Sequence, residues 1–321
     1  MYGVSPAYFV SSFGPGFRPS DIARALPGLR DLGYEAFQPE AFRKEAAESW
    51  SPRDSREIKD RARSLGLSTG PFVAHWLGAE FVRPEYLNHS DLPTGVDRAL
   101  GITSALEGTQ VFAVPLPTLD LSRTSVRPCS SNTEIGPLRA ELRGALVDKL
   151  GRLAEAVRSA GFRLALELLP GNALGGSEEF RSLLSNRGLE DLGLVLDTGH
   201  FHAMGEDVSA LPARLAGAVA VTHLCDNDGV ENLSLAPGAG TIPFRPLLSA
   251  LAESGYRGSL DVEIVCPPEA VAREYGRALT ALRAMEAVGF VTVGPGAERP
   301  ENLHCVTARG SEARILERSP L

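Results

Sequence analysis

The amino-acid sequence predicts an α/β protein built as a (β/α)8 barrel, and two observations carry this prediction. Short apolar runs of β type recur along the chain, and amphipathic helical stretches separate them. A glycine ends each of the clearest helical stretches one or two residues before the next apolar run, as in LGYEAF, AGFRLALE and SGYRGSLDVE. This alternation is typical of βαβ units, whose parallel strands form a sheet that is covered on both faces.

Eight strands are predicted, five from clear apolar runs and three from weaker ones. Eight strands in about 265 residues fit a closed barrel better than a doubly wound sheet. A doubly wound dinucleotide-binding domain would carry G-x-G-x-x-G after its first strand, and the segment SSFGPGF has no third glycine. In chain order, the predicted strands are Val4–Val10, Tyr34–Phe37, Leu67–Ala74, Val111–Leu116, Leu164–Leu169, Leu192–Leu196, Val219–Leu224 and Leu260–Val265.

The predicted helices carry stop signals, because glycine is favoured just beyond a helix, where the backbone turns left-handed. The rhythm of helix, glycine and strand continues to residue 288, so we expect one barrel domain over residues 1–288. Residues 289–321 lose this rhythm, and we expect a short C-terminal extension there. Four predicted helices end at a glycine: Asp21–Leu32 at Gly33, Asp54–Leu65 at Gly66, Leu138–Ala160 at Gly161 and Pro246–Ser254 at Gly255.

Composition narrows the classes of function. Hydrophobic residues make up 43% of the chain and the formal net charge is −8, as expected of a globular protein whose overall field repels nucleic acid and anionic membranes. No apolar run approaches the 18 or more residues that a membrane span needs. The first residues lack a basic segment followed by a long apolar one, so we expect a cytoplasmic location.

Polar side chains stand in or at the ends of the last four predicted strands. Functional side chains of such barrels project from the C-terminal ends of the strands. Any one of these residues could be a satisfied core residue, but the four recur 30, 26 and 40 residues apart, about one βα unit each. Three carboxylates buried together without a cation would each cost several kcal/mol. The four candidate metal ligands are Glu167, Asp197, His223 and Glu263.

This donor set predicts one divalent metal ion as the cofactor. Three carboxylates and one imidazole are an oxygen-rich set, which suits Mn²⁺, Mg²⁺ or Co²⁺, and Zn²⁺ is also compatible with it.

Several segments of the second half resemble the xylose isomerase-like TIM barrels, a superfamily that includes the sugar phosphate isomerase/epimerase family, inosose dehydratase and endonuclease IV. The resemblance is strong over residues 160–265 and only architectural before them. It implies that the four candidate ligands bind one divalent metal and that His200 binds substrate or a further metal. The segments are LALE, GLVLDTGHFHAMGED, VTHLCDNDG, PGAGTIPFRPLLSALAESGYRG and DVEI.

The resemblance and the site chemistry together predict a metal-dependent isomerase or epimerase of a small sugar, sugar phosphate or polyol. A metal that polarises a carbonyl stabilises the enediolate formed when a neighbouring proton is removed. We expect Glu167 and Glu263 to be the catalytic bases. His200, His75 and Asp226 are the expected substrate-binding residues, Asp226 through orientation of the loop after the seventh strand. Dimers are common among such barrels, so a homodimer is one possible assembly, and the sequence leaves the subunit number open.

Other functions stay open at this stage. An inosose dehydratase-like lyase is the main alternative, because an enediolate that is not reprotonated can eject a β-hydroxyl group. An endonuclease IV-like hydrolase is less favoured, since its D-x-H pair corresponds to Asn232 and Ser234 here. Gly229 replaces the substrate-binding arginine of the keto-sugar epimerases, which argues against a free ketohexose. An aldolase that forms a Schiff base is disfavoured by the scarcity of lysine, and an inactive binding module remains an alternative.

Gln38 and Glu40 are further expected substrate contacts.

Overall fold

The predicted barrel is confirmed by the structure, a computed structural model that describes residues 1–88, 91–122, 132–215 and 217–289. All strand pairings are parallel, and they form two sheets with the strand orders β3-β2-β1-β9 and β4-β5-β6-β7-β8. The strands within this part of the chain are β1 (Tyr2–Val4), β2 (Ala36–Phe37), β3 (Ser68–Thr69), β4 (Phe72–Val73), β5 (Val111–Leu116), β6 (Arg163–Leu168), β7 (Gly193–Asp197), β8 (Val219–His223) and β9 (Leu260–Val262).

The two sheets join edge to edge and close into one barrel. β3 and β4 are two halves of a single barrel strand, separated by Gly70 and Pro71, and Pro71 has no N–H group to continue the hydrogen-bond ladder. On the other side, a parallel bridge between Leu224 and Val262 links the end of β8 to β9. With β3 and β4 counted as one, the barrel therefore has eight strands, as the sequence predicts.

Helices cover the outside of the barrel, and their ends follow the local sequence signals. Ser51 caps α4, because its hydroxyl accepts a hydrogen bond from the Asp54 amide while Gly66 ends that helix in a left-handed conformation. The helices of the described residues are α1 (Ala7–Phe13), α2 (Pro19–Asp31), α3 (Lys44–Ser49), α4 (Pro52–Leu65), α5 (Pro84–Leu87), α6 (Val96–Leu106), α7 (Asn132–Ser159), α8 (Ser177–Leu183), α9 (Thr198–Ala203), α10 (Leu211–Arg214), α11 (Phe244–Glu253) and α12 (Val271–Gly289). Short 3₁₀ helices lie at His75–Phe81, Val208–Ala210 and Pro268–Ala270.

The predicted first strand, Val4–Val10, is only partly right. The strand ends at Val4, and Ala7–Phe13 form the helix α1. Pro6 has φ −56° and ψ −22°, which is helical, and its carbonyl accepts hydrogen bonds from the amides of Phe9 and Val10. Tyr8 and Phe9 are buried by this short helix, and an apolar run of this length does not by itself distinguish a helix from a strand.

The middle of the barrel is filled by small side chains. Val73, Ala113, Ala165, Val195 and Val221 form a buried cluster inside the ring of strands. A larger apolar cluster lies between the strands and the helices. These small residues form the floor of the barrel interior. The polar residues that follow them on the same strands form the next layer, towards the C-terminal ends of the strands.

Two further expectations concern a membrane span and the C-terminal extension. No helix among the described residues is long and apolar enough to cross a membrane. The predicted C-terminal extension lies outside the described residues from residue 290 onward, and its boundary at 288/289 stays a prediction.

Candidate metal centre

The structure brings the four predicted metal ligands together at the C-terminal end of the barrel. Glu167 lies in β6, Asp197 and His223 are the last residues of β7 and β8, and Glu263 directly follows β9. One ligand atom from each residue lies within 4.8 Å of the corresponding atoms of the other three. Residues separated by 26 to 40 positions in the chain therefore form a single cluster, in which Glu263 is half-buried and the other three are buried.

Strand alternation explains why these side chains point inward. Successive residues of a strand face opposite sides, so residues two apart share a face. Ala165, Val195 and Val221 belong to the small-residue floor of the barrel. Glu167, Asp197 and His223 each follow one of these floor residues by two positions, and they consequently form the next inward layer.

His223 is the centre of the cluster. Its Nδ1 atom lies 3.0 Å from Oε1 of Glu167 and 2.8 Å from Oε2 of Glu263. The two carboxylates thus flank one ring nitrogen. Burial alone would lower the pKa of His223, but the negative charges of Glu263 and Glu167 outweigh this effect and raise it well above its usual range.

Asp197 and His200 occupy the adjoining part of the cluster. Asp197 caps α9, because its Oδ1 accepts a hydrogen bond of 2.8 Å from the His200 amide. Its Oδ2 lies 3.4 Å from Nδ1 of His200, and both of these buried atoms lack a hydrogen bond within the described part of the chain. Burial raises the pKa of Asp197 above its usual range. The same Nδ1 of His200 lies 3.8 Å from Oε1 of Glu167.

The unpaired atoms and the charges fit a divalent cation. Buried carboxylate oxygens without a donor are costly, because desolvation penalises them and no partner offsets the loss. Burial alone would raise the pKa of Glu167, yet His223 and His200 hold it well below its usual range. The cluster is thus stabilised by positive charge, which a divalent metal bound by these four residues would supply.

His75 lies at the mouth of the barrel, beside Glu40. Its Nδ1 is 3.4 Å from Oε1 of the buried Glu40, and its ring stacks on Phe42 with the ring centroids 4.1 Å apart. About one third of the His75 side chain is exposed, and it lines a cavity of about 550 Å³ together with Trp76 and Pro115. This position is open to a small molecule entering from outside.

Asp226 is the expected substrate-binding residue that the structure buries completely. Its carboxylate accepts hydrogen bonds of 2.9 to 3.0 Å from four backbone amides, of which three belong to the segment from Gly238 to Ile242. Gly240 is required at this point, since a Cβ atom would lie 2.2 Å from the Asn227 carbonyl oxygen. The geometry favours the orienting role that the sequence also suggests, because the Asp226 oxygens already hold the loop.

Gln38 and Asp261 are connected to the cluster in a way that the sequence analysis misses. Gln38, an expected substrate contact, is fully buried, and its Oε1 lies 3.1 Å from Nε2 of His223. Its Nε2 donates a hydrogen bond of 2.8 Å to Oδ2 of Asp261. The alternation in LDVEIV contains a signal for Asp261, because it precedes Glu263 by two positions and shares its inward face.

Comparisons with known proteins agree with this architecture. An inosose isomerase from Halalkalibacterium halodurans is 30% identical over 143 residues, which are 42% of this chain and 51% of that protein. Other curated relatives are named inosose dehydratase. The chain spans about half the length of the curated relatives it matches.

Two solved structures share the fold over most of the chain. The structure of an L-ribulose 3-epimerase has a TM-score of 0.66 at 16% identity, covering 92% of this chain and 99% of that one. The crystal structure of the IOLI protein with a bound zinc atom has a TM-score of 0.62 at 18% identity, covering 90% and 97%. The model of the xylose isomerase-like TIM barrel family matches residues 28–286, which is most of the barrel. The chain therefore belongs to the xylose isomerase-like TIM barrel family.

Proposed function

We propose that this protein is a divalent-metal-dependent isomerase or epimerase of a small sugar or polyol. The observation that carries the proposal is the placement of Glu167 and Glu263, whose carboxylates both contact His223 Nδ1, at 3.0 and 2.8 Å. They reach the cluster from β6 and from the end of β9, so they approach one small volume from two sides. Curated relatives named inosose isomerase support a cyclic polyol ketone as the substrate class.

The four clustered residues would hold the metal ion. Three carboxylates and an imidazole suit Mn²⁺, Mg²⁺ or Co²⁺, and the zinc atom in a structural relative supports Zn²⁺ as a further candidate. When bound, such an ion polarises a substrate carbonyl and stabilises the negative charge that develops on its oxygen.

The protein residues would perform the proton transfers. Glu167 or Glu263 removes the proton next to the carbonyl, and the other glutamate returns a proton to the opposite face or to the neighbouring carbon. Return to the opposite face is epimerisation, and return to the neighbouring carbon is isomerisation. His200, whose Nδ1 lacks a hydrogen bond within the described residues, would donate to a substrate oxygen. His75 would contact the part of the substrate that faces the cavity of about 550 Å³.

Dehydration is the second candidate, and the pair formed by His75 and Glu40 favours it. A lyase reaction needs an acid that protonates the departing β-hydroxyl group, and His75 lies at the cavity with Glu40 behind it. The relatives named inosose dehydratase support the same reaction class.

A substrate screen in D₂O separates these functions. The metal-depleted protein is reloaded with Mn²⁺, Co²⁺ or Zn²⁺ and incubated with inososes, ketoses and hydroxy-keto acids. We expect NMR to detect deuterium in the substrate pool together with an isomer or epimer. Loss of water to form an enone or diketone would favour the lyase. Cleavage of abasic DNA with two or three metal ions per chain would favour the hydrolase, and no turnover of any compound would favour a binding module.

A matched pair of variants links the turnover to the site. Glu263→Gln keeps the side-chain volume but removes a base, whereas Glu253→Gln changes an exposed glutamate at the end of α11. We expect only the first variant to lose turnover. Equal activity of the two variants would contradict the proposal.

A further inference from the structure

A buried chain of hydrogen bonds runs from the candidate metal centre to the barrel wall. His223 Nε2 lies 3.1 Å from Gln38 Oε1, and Gln38 Nε2 lies 2.8 Å from Asp261 Oδ2. All three residues are at most 2% exposed. They come from β8, from the end of β2 and from β9, so residues distant in sequence meet inside the barrel.

The direction of each hydrogen bond follows from Asp261. A carboxylate only accepts hydrogen bonds, and Oδ2 of Asp261 already accepts one of 2.7 Å from the Ser259 hydroxyl. Gln38 must therefore turn its NH₂ group towards Asp261 and its carbonyl oxygen towards His223. Because that oxygen accepts and cannot donate, the proton of the neutral imidazole is placed on Nε2.

The carboxylates of the cluster favour the opposite tautomer of His223, with the proton on Nδ1. Glu167 and Glu263 lie 3.0 and 2.8 Å from the other ring nitrogen, Nδ1, and Oε1 of Glu167 is placed to accept a hydrogen bond from it. Without Gln38, a neutral His223 would keep its proton on Nδ1, where it blocks a metal. With Gln38, the lone pair of Nδ1 faces the carboxylates of Glu167 and Glu263, as metal coordination requires.

The neighbouring strand is adapted to keep Asp261 in place. Gly3 of β1 pairs with Asp261 of β9 and with Ala36 of β2. A Cβ atom on Gly3 would lie 1.9 Å from Oδ1 of Asp261, so any other residue at this position would have to displace the carboxylate. Gln38 follows Ala36 by two positions and faces the same side of the strand.

We propose that Gln38 and Asp261 are positioning residues that hold His223 in the tautomer with the proton on Nε2 and so present Nδ1 to the metal. The inference rests on the metal site of the proposed function. It adds that the affinity of this site depends on two residues that do not touch the metal. Loss of a partner that orients a metal-binding histidine typically lowers metal affinity about 10–100-fold.

Three proteins test the proposal. Gln38→Met keeps a similar length and packing but removes the acceptor for Nε2–H. In the double variant Gln38→Glu with Asp261→Asn, the carboxylate and the amide exchange places along the same chain. The introduced carboxylate would accept from His223 Nε2, and the introduced amide would donate to that carboxylate, so the proton returns to Nε2. The wild-type protein is the reference, and circular dichroism and thermal unfolding verify that each variant folds.

Two readouts are expected to change together. The first readout is the ¹H–¹⁵N spectrum of the His223 ring in metal-free protein, recorded at a pH where the imidazole is neutral. A His223→Gln variant assigns its signals. The wild-type protein and the double variant should both show the proton on Nε2. Gln38→Met should shift the proton to Nδ1. Calorimetric titration with Mn²⁺ alone should show about 10–100-fold weaker binding for Gln38→Met and recovery in the double variant.

The outcomes distinguish this inference from a packing role and from the metal site itself. If Gln38→Met keeps both Nε2–H and the wild-type Mn²⁺ affinity, or if the double variant is no better than Gln38→Met in either readout, the positioning role is wrong. If wild-type protein binds no divalent metal, the proposed function fails. The ring spectra of the metal-free proteins still decide which nitrogen of His223 carries the proton when Gln38 is present.

Discussion

The two halves of the barrel contribute different parts of the candidate site. The second half, from β6 to the end of β9, carries all four residues of the metal cluster. The first half carries the groups around it, namely Gly3, Gln38, Glu40 and His75. The second half thus supplies the candidate metal ligands, and the first half supplies Gln38, which contacts one of them, and His75, which lines the neighbouring cavity.

Strand length follows this difference at three of the four candidate ligands. β6, β7 and β8, which carry Glu167, Asp197 and His223, contain five or six residues each, whereas β1 to β4 contain two or three. The exceptions are β5 in the first half, with six residues, and β9 before Glu263, with three. Metal coordination tolerates errors of only a few tenths of an ångström, so its ligands benefit from long, fully hydrogen-bonded strands. The short strands leave more chain for loops, which is where substrate contacts vary among barrels. The comparison predicts that changes in the second half affect catalysis most.

The largest effect is expected from removing the two bases. Glu167→Gln and Glu263→Gln each keep one ligating oxygen but cannot accept the substrate proton. Loss of a general base typically lowers the rate about 10²–10⁴-fold, while metal content should fall less than on truncation to Ala. The measurement is turnover in D₂O with deuterium located by NMR, and one variant is expected to retain exchange at the face served by the surviving glutamate.

Wild-type turnover in both glutamine variants would contradict the assignment of the bases. Turnover that introduces no solvent deuterium into any product would contradict proton transfer altogether.

The next effect concerns metal affinity. Asp197→Ala and His223→Ala remove one of four ligands, and we expect Mn²⁺ binding to weaken by more than the roughly 10–100-fold typical of a lost orienting partner. Wild-type protein should bind about one ion per chain in a calorimetric titration, in line with the four-residue cluster found among the residues that the structure describes. Asp228→Asn, an exposed change just after β8, is the matched control. Unchanged affinity in both alanine variants would mean that the cluster has a structural role only.

The sequence predicts the contribution of the second half to the site better than that of the first half, and the difference has a physical cause. Each ligand of the cluster follows a buried apolar run on its own strand, so spacing and alternation are enough to predict that Glu167, Asp197 and His223 converge. The hydrogen bond between Gln38 and Asp261 joins residues 223 positions apart on strands that meet only when the barrel closes. No local pattern encodes that contact, and a single sequence therefore predicts Gln38 only as a substrate contact after a strand, not as a partner of Asp261.

A smaller effect is expected at the loop that Asp226 holds. Asp226→Asn replaces a carboxylate oxygen by an NH₂ group that faces backbone donors, which leaves at least one buried amide without an acceptor. Such a loss costs about 1–3 kcal/mol in the free energy of unfolding. Denaturant unfolding measures this cost. Asp228→Asn should cost much less, because Asp228 is exposed and asparagine keeps an oxygen for the amides of Val230 and Glu231. Equal costs would show that the buried network is not what stabilises the loop.

The smallest effect is expected in the first half, at His75. Burial alone would lower the pKa of His75, but the hydrogen bond to Glu40 and its charge outweigh this effect and raise the pKa above 6.5. In Glu40→Gln the lowering effect of burial remains while the opposing charge is gone, so the pKa of His75 should fall. A histidine whose pKa is raised in the folded state stabilises the fold at pH values below its unfolded pKa, and this contribution is lost as the pH rises through the folded pKa. With a lower pKa of His75, the stability of the variant should therefore depend less on pH above 6.5. NMR titration of the His75 ring measures the shift, and Glu45→Gln, at an exposed glutamate on the same cavity, is the control. An unchanged His75 pKa in Glu40→Gln would mean that the pair is not coupled, and it would remove the physical reason for treating His75 as the acid of a lyase reaction.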